Sequence, residues 1–319
     1  MIRNIINYLR TFVQALKKFP ALVLQKSNGI PFDKTLNDIK SDRILLGKIL
    51  SAQNKTKSIS TLHDVEFGVF SQWGDDGIIQ YIIQHTDIPH KTFIEFGVEN
   101  YRESNTRFLL INDNWSGLVI DGDKKNIDFI KSDVVSWGFD LHSKAAFITK
   151  DNINSLIHEF TGKGYSQEIG ILSIDIDGND YWVWKEINQI KPVVVIIEYN
   201  SLFGVDKAYT IVYDPEFRRY QADVRMQYYG VSLKAACLLA EQKGYDFIGC
   251  NSNGNNAYFI RKDKSGHFKA LTAEQGYVRS KFREFKVDGE RVSGDARLVA
   301  LKGKKLMNVE SGEIEVFIA

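Results

Sequence analysis

The sequence predicts an α/β protein: a Rossmann-like, doubly wound, mostly parallel sheet of seven strands with one antiparallel strand. Three observations predict it. Between residues 66 and 262 short apolar runs alternate with helical patterns five times. The runs are apolar throughout rather than at every second position, as strands are when helices cover both faces of a sheet. The last two runs are joined by a turn too short for a crossover, so one strand must run against its neighbours.

The elements follow in order. Asp75 and Asp76 open a helix through Ile83, where acids in the first turn complement the helix dipole. Thr92 to Phe96 is the first strand, closed by Gly97, and Ser104 to Ile111 reads as a helix. Gly117 to Ile120 is the second strand, ended by Asp121-Gly122-Asp123 and followed by a polar helix from Lys124. Ala145 to Ile148 is read as the third, then Thr149-Lys150-Asp151-Asn152, then a helix over Ile153 to Phe160. The fourth strand leads from Leu172 into Asp175-Ile176-Asp177-Gly178-Asn179-Asp180, and the fifth, Val193 to Ile197, ends in Glu198-Tyr199-Asn200. Ser232 starts a helix that Lys243-Gly244 should terminate. The closing strands are Tyr245 to Gly249 and Ala257 to Arg261, around an asparagine-rich turn that turn chemistry alone explains.

Beside this core, 1–65 is read as an N-terminal helical extension and connector, and 263–319 as a small β appendage with an alternating strand from Glu313 to Ile318. Residues 1–26 form a basic amphipathic pattern with two readings: contact with an anionic membrane surface, or docking on the chain's own domain or on a second subunit of a homo-oligomer. The second is favoured, because most amphipathic helices bury their apolar stripe in protein. A hydrophobic content of 44% with 25% charged residues is a globular balance that excludes disordered and collagen-like classes. A net charge of +1 gives no argument for nucleic acid as partner. Two cysteines, Cys237 and Cys250, support neither a disulfide framework nor a thiolate metal cluster. With no apolar run of ~18 to 20 residues and no signal-peptide cleavage pattern, a cytoplasmic location is expected.

In an open α/β sheet, ligands bind beyond the carboxyl ends of the strands, where the strand order reverses. Acids gather there. Asp175 and Asp177 are placed at the end of a buried strand, where carboxylates are costly unless used or paired. Asp180 is balanced between function and capping the helix that carries Tyr181 and Trp182. The aromatic and arginine-rich segment from Ser201 to Gly230, with Tyr213, Phe217, Arg218, Arg219 and Arg225, reads either as a lid over an acceptor or as a structural or subunit contact. The six histidines show no ligand spacing.

Five phrases carry a family resemblance: Phe70-Ser71-Gln72-Trp73-Gly74-Asp75-Asp76-Gly77, Phe93 to Val98, Gly117 to Gly122, Phe147 to Asn154, and the stretch from Leu172 to Tyr181. In this order they resemble FkbM-type and related class I S-adenosylmethionine-dependent O-methyltransferases. The resemblance covers residues 66–262. It implies that Glu95 and Gly97 line the methionine part of S-adenosylmethionine, that Asp121 and Gly122 meet the ribose, and that Asp151 or Asn152 lies near the adenine, with Asp175 facing the methyl donor. It also implies catalysis by Asp175, Asp177 and Asp180, with Asp177 as the base, and a magnesium ion on Asp177, Glu198 and Asn200. The acceptor would be a hydroxyl of a saccharide or glycolipid precursor. One departure from the family pattern is plain. The glycine-rich loop after the first strand is replaced by Val98-Glu99-Asn100-Tyr101-Arg102-Glu103, so close approach to a ligand would fall to Ser104 and Asn105. Two other classes remain: a metal-dependent glycosyltransferase, since Asp175-Ile176-Asp177 and Asp121-Gly122-Asp123 fit its DxD pattern, and a non-catalytic assembly partner.

Overall fold

The computed structural model of the chain describes residues 32–281, 285–287 and 290–318; the amphipathic stretch 1–26 lies outside them. The chain divides into two compact units, Met1–Arg43 and Ile44–Ala319. Helix α1 is Phe32–Asn54. Gly47 permits it to lie close: a Cβ there would stand 2.5 Å from Val69 Cγ2 and 2.9 Å from Phe108 Cζ. No described helix is long and apolar enough to cross a membrane.

The larger unit is built on seven strands: β1 (Thr92–Phe96), β2 (Ser116–Asp121), β3 (Leu141–Ala145), β4 (Ile171–Ile174), β5 (Val194–Glu198), β7 (Tyr245–Cys250) and β8 (Asn256–Arg261), with β6 (Tyr209–Ile211) outside the sheet. Their order is β3-β2-β1-β4-β5-β8-β7. Pairing is parallel from β3 through β5, and β8 is antiparallel to both β5 and β7. This is the predicted seven-stranded, mostly parallel sheet with one reversed strand.

Successive residues of each strand serve opposite layers. Ile94 and Phe96 of β1 join Ile120, Leu172 and Val195 under α5 (Ile153–Thr161), α6 (Asp180–Glu186) and α7 (Leu233–Lys243). Phe93 joins Val119, Ile171 and Ile196 on the other face, covered by α2 (Asp75–His85), α3 (Arg107–Asp113) and α4 (Lys124–Ser132). Gly244 ends α7 as predicted, at φ +82° with its N–H turned back to Ala240 and Glu241.

The third strand corrects the sequence reading. It lies at Leu141–Ala145, in register with Gly117–Asp121, not at Ala145–Ile148. As an edge strand it has one neighbour and needs no continuous apolar run, and its middle residues are only half buried. The apolar run that follows it lines a cleft instead.

The C-terminal strands include β11 (Lys305–Asn308) and β12 (Ile314–Val316), after the short pair β9 (Lys286–Val287) and β10 (Glu290–Arg291). They are not a self-contained appendage. β11 pairs with β6 in the order β12-β11-β6, and Leu301 and Leu306 pack with Leu202, Phe203, Tyr209, Ile211 and Phe217. Most aromatics of the expected lid are therefore committed to this second small core.

Candidate functional site

A cleft of about 870 Å³ opens at the carboxyl ends of the central strands, where the order reverses between β1 and β4. Glu95, Gly97, Ser104, Asn105, Asp121 and Gly122 line one side, and Asp175, Asp177 and Glu198 the other.

Glu95 is the anchor of the first side. Its Oε2 accepts from Ser104 Oγ (2.5 Å), Thr106 Oγ1 (2.5 Å) and the Thr106 N–H (3.1 Å), and its Oε1 accepts from the Asn105 N–H (2.9 Å). Burial pushes its carboxyl above the usual range, against the pull of these donors. Ser104 and Asn105 border the cleft, but the Ser104 hydroxyl and the Asn105 N–H are held by Glu95. They fix the loop rather than replace a glycine-rich cradle.

That loop reaches left-handed backbone without extra glycines. Glu99 (φ +46°) and Tyr101 (φ +61°) adopt it, which for non-glycine residues needs outside support. Asp121 supplies it to Glu99, whose N–H donates to Asp121 Oδ2 (2.8 Å). Arg107 holds the Tyr101 carbonyl (2.7 Å), and the buried Tyr101 hydroxyl meets Thr106 (3.0 Å). Asp121 Oδ1 also accepts from the Asp123 N–H (2.8 Å) and Asn126 Nδ2 (3.0 Å). Three donors leave about one of a carboxylate's roughly four acceptor positions for a ligand hydroxyl. Gly97 itself is required: at φ +72° its missing Cβ would lie 1.6 Å from the Asp175 carbonyl oxygen.

Asp151 and Asn152 are not in the cleft lining. Asn152 closes its own turn, accepting from the Thr149 N–H (2.9 Å) and donating to the Phe147 carbonyl (2.8 Å), while Asp151 accepts from Tyr213 (3.3 Å). Because β3 ends at Ala145, the residues brought to the cleft are Ala146, Phe147 and Ile148, with Arg218 stacked 4.2 Å over the Phe147 ring.

On the acidic side one oxygen each of Asp175, Asp177 and Glu198 lies within 4.8 Å of the others. Glu198 Oε2 is buried, and among the described residues no N–H or O–H group donates to it. Burial, and then repulsion from Asp177 and Asp180 for Asp175 and from Asp175 and Asp177 for Glu198, drives both carboxyls well above the carboxylate range, against the pull of Arg219. Asp177 (φ +55°) stands exposed and pairs with Arg219, which stacks 3.6 Å over Tyr229 and donates from Nε to the Met226 carbonyl (2.8 Å).

Two residues assigned to this group serve the backbone instead. Asp180, fully buried, accepts from the Ile176 N–H (2.8 Å) and the Gly178 N–H (2.9 Å), clamping the turn that presents Asp175 and Asp177. Asn200 accepts from the Leu202 N–H (3.1 Å) and donates to the Gln227 and Tyr229 carbonyls (2.8 and 3.1 Å), which commits its amide to the backbone. Residues that the sequence reading left out also line the cleft: Gln72, Trp73, Asp75, Asn179, Asn255 and Asn256. Asp75 looked like a dipole-complementing acid and the asparagines like turn formers. Only contacts between distant segments reveal them here.

The buried acids predict a pH dependence. Burial raises Asp180 to about 6 from an ordinary 3.8, and Asp175 and Glu198 shift the same way. A carboxyl raised on folding contributes stability that is full below its unfolded value and is lost as pH rises through its folded value. For Asp180 the melting temperature is expected to fall from about pH 4 to just above about pH 6, between its unfolded and folded values. Asp180→Asn should shrink that fall while lowering stability throughout by about 2–3 kcal/mol, since an amide NH₂ would confront a backbone donor. Melts across constant-ionic-strength buffers check both; a melting temperature that rises over the window contradicts the assignment.

No family model matches the chain, and no curated protein matches it. Among solved structures it is similar to a S-adenosylmethionine-dependent methyltransferase from Clostridium acetobutylicum (11% identity, 59% of this chain and 90% of that one, TM-score 0.38). It is also similar to an O-methyltransferase from Bacillus cereus in complex with S-adenosylhomocysteine (12%, 79% and 89%, TM-score 0.35) and to the N-terminal domain of EvdMO1 with S-adenosylhomocysteine bound (8%, 68% and 94%, TM-score 0.36). These likenesses are distant, and the fold assignment rests on the strand order and pairing described above.

Proposed function

We propose that the chain is a S-adenosylmethionine-dependent O-methyltransferase of the FkbM-like kind, acting on a hydroxyl of a saccharide or glycolipid precursor. The observation that carries this reading is one cleft at the switch point, with a loop-and-carboxylate wall over β1 and β2 facing a group of three acids over β4 and β5. S-adenosylmethionine, when bound, supplies a sulfonium methyl group open to in-line displacement by an acceptor oxygen. The chain's part is orientation and proton removal. Asp121 accepts from one ribose hydroxyl, Phe147 and Ile148 flank the adenine, and Glu95 holds the loop that borders the methionine part. Asp177, exposed at the rim, takes the acceptor's proton. Arg219 holds it in place.

The acidic group fits a magnesium ion through Asp175, Asp177 and Glu198: three hard oxygens, one from each, lie within reach of one another. Such an ion would supply positive charge that lowers the pKa of an acceptor hydroxyl. Calorimetry with S-adenosylhomocysteine is expected to show binding; no affinity, with a nucleotide-sugar bound instead, would replace this reading by the glycosyltransferase one. Dialysis against a chelator is expected to lower turnover and magnesium to restore it, and unchanged turnover removes the metal.

A further inference from the structure

The acceptor half of the cleft has a second edge, beyond the three acids. Asp75, at the start of α2 and buried, lines the cleft and is held from three sides: Tyr258 donates its hydroxyl to Oδ1, and Asn251 and Asn256 donate their amides at 3.0 Å each. Every one of these partners is neutral. Asn256 is the register partner of Glu198 across the β5–β8 pair, so the Asp75 cluster and the unpartnered Glu198 oxygen share one rim. Trp73 faces the same cleft at 38% exposure, although its loop is tightly fixed. Asp76 Oδ2 gathers the Val69, Phe70 and Ser71 N–H groups (2.6, 2.7 and 2.8 Å), and a Cβ on Gly68 would lie 2.4 Å from the Trp73 carbonyl oxygen. The backbone that carries the indole is therefore placed in advance.

We infer that this half of the cleft is a subsite for an uncharged polyhydroxyl ring, with Trp73 as its stacking face and Asp75, Asn256 and Glu198 as the edge that receives its hydroxyls. The inference rests on the methyltransferase reading for its purpose and on these residues for its chemistry. An aromatic face takes the apolar side of a sugar ring, and carboxylate and amide oxygens take its hydroxyl donors. The side chains that hold Asp75 are a phenol and two amides, none a cation, so a phosphate or carboxylate on the ring meets no counter-charge from them at this edge. Glu198 Oε2, buried and without a partner, is the atom that such a hydroxyl satisfies.

Saturation-transfer NMR on the full chain tests this, with methyl α-D-glucopyranoside, methyl α-D-galactopyranoside and methyl α-L-rhamnopyranoside as neutral probes and glucose 1-phosphate as the charged one. Each is measured with and without S-adenosylhomocysteine, whose own affinity is measured separately. At least one neutral glycoside is expected to show transfer, the phosphate none. Trp73→Ala is expected to weaken the response about five-fold or more with S-adenosylhomocysteine affinity unchanged, and Asp75→Asn to weaken it independently. Transfer to no neutral glycoside, an equal response from the phosphate, or full binding by both variants overturns the subsite. Glycoside binding through Trp73 without S-adenosylhomocysteine binding keeps the subsite and removes the methyltransferase reading.

Discussion

Alanine at Gly97 is expected to lower the melting temperature by about 10 °C and to abolish S-adenosylhomocysteine binding. Two costs add. A non-glycine residue at φ +72° is strained, and the new methyl group would sit 1.6 Å from the Asp175 carbonyl oxygen, a backbone atom that cannot swing aside. Relief requires parting the end of β1 from the turn after β4, and together these cost about 4 kcal/mol. Gly122→Ala is the control. Its Cβ would meet only Phe147 Cδ2, at 3.5 Å, so stability should change little. Equal melting temperatures for Gly97→Ala and the unaltered chain would show that the close contact is not a constraint.

Asp177→Asn is expected to lower kcat by about 10²- to 10⁴-fold while S-adenosylhomocysteine affinity stays within about threefold, the pattern of a lost general base. The side chain is exposed, so the fold has little to lose; an amide can still accept from Arg219 but cannot take a proton. Release of S-adenosylhomocysteine, measured on an acceptor that the unaltered protein turns over, gives kcat, and calorimetry gives the affinity. Turnover within tenfold of the unaltered protein rejects Asp177 as the base. A parallel loss of affinity would instead mark it as a positioning group.

The sheet was legible because its information is local and repeated. Runs such as Phe93 to Phe96 and Val193 to Ile197 can bury both faces only inside a covered parallel sheet, and the short link from Cys250 to Asn256 forces one reversal. Ala145 to Ile148 misled for the same reason: an apolar run signals burial, and a ligand cleft is also a place to be half buried. Acids at strand ends were correctly expected at one rim, yet their division of labour was not readable. Asp175, Asp177 and Asp180 differ in role because one left-handed residue, Asp177, turns the chain so that Asp180 folds back on two N–H groups. Arg219 and Asn256 reach the cleft through contacts that no spacing encodes.

The β6–β11 pairing bears on when the cleft can be finished. The segment carrying Arg218 and Arg219 toward the acids starts from β6, and β6 has its sheet neighbour in residues about a hundred positions later. During synthesis the seven-stranded core can close once β8 has emerged, because each of its strands then has its partners. The mouth of the cleft then has one side of β6 secured, by the backbone of Gly230 to Ser232, and gains the other when Leu306 and Met307 arrive to pair with Ile211 and Thr210. A growing chain thus carries a folded cofactor wall before the outer side of the cleft mouth is complete.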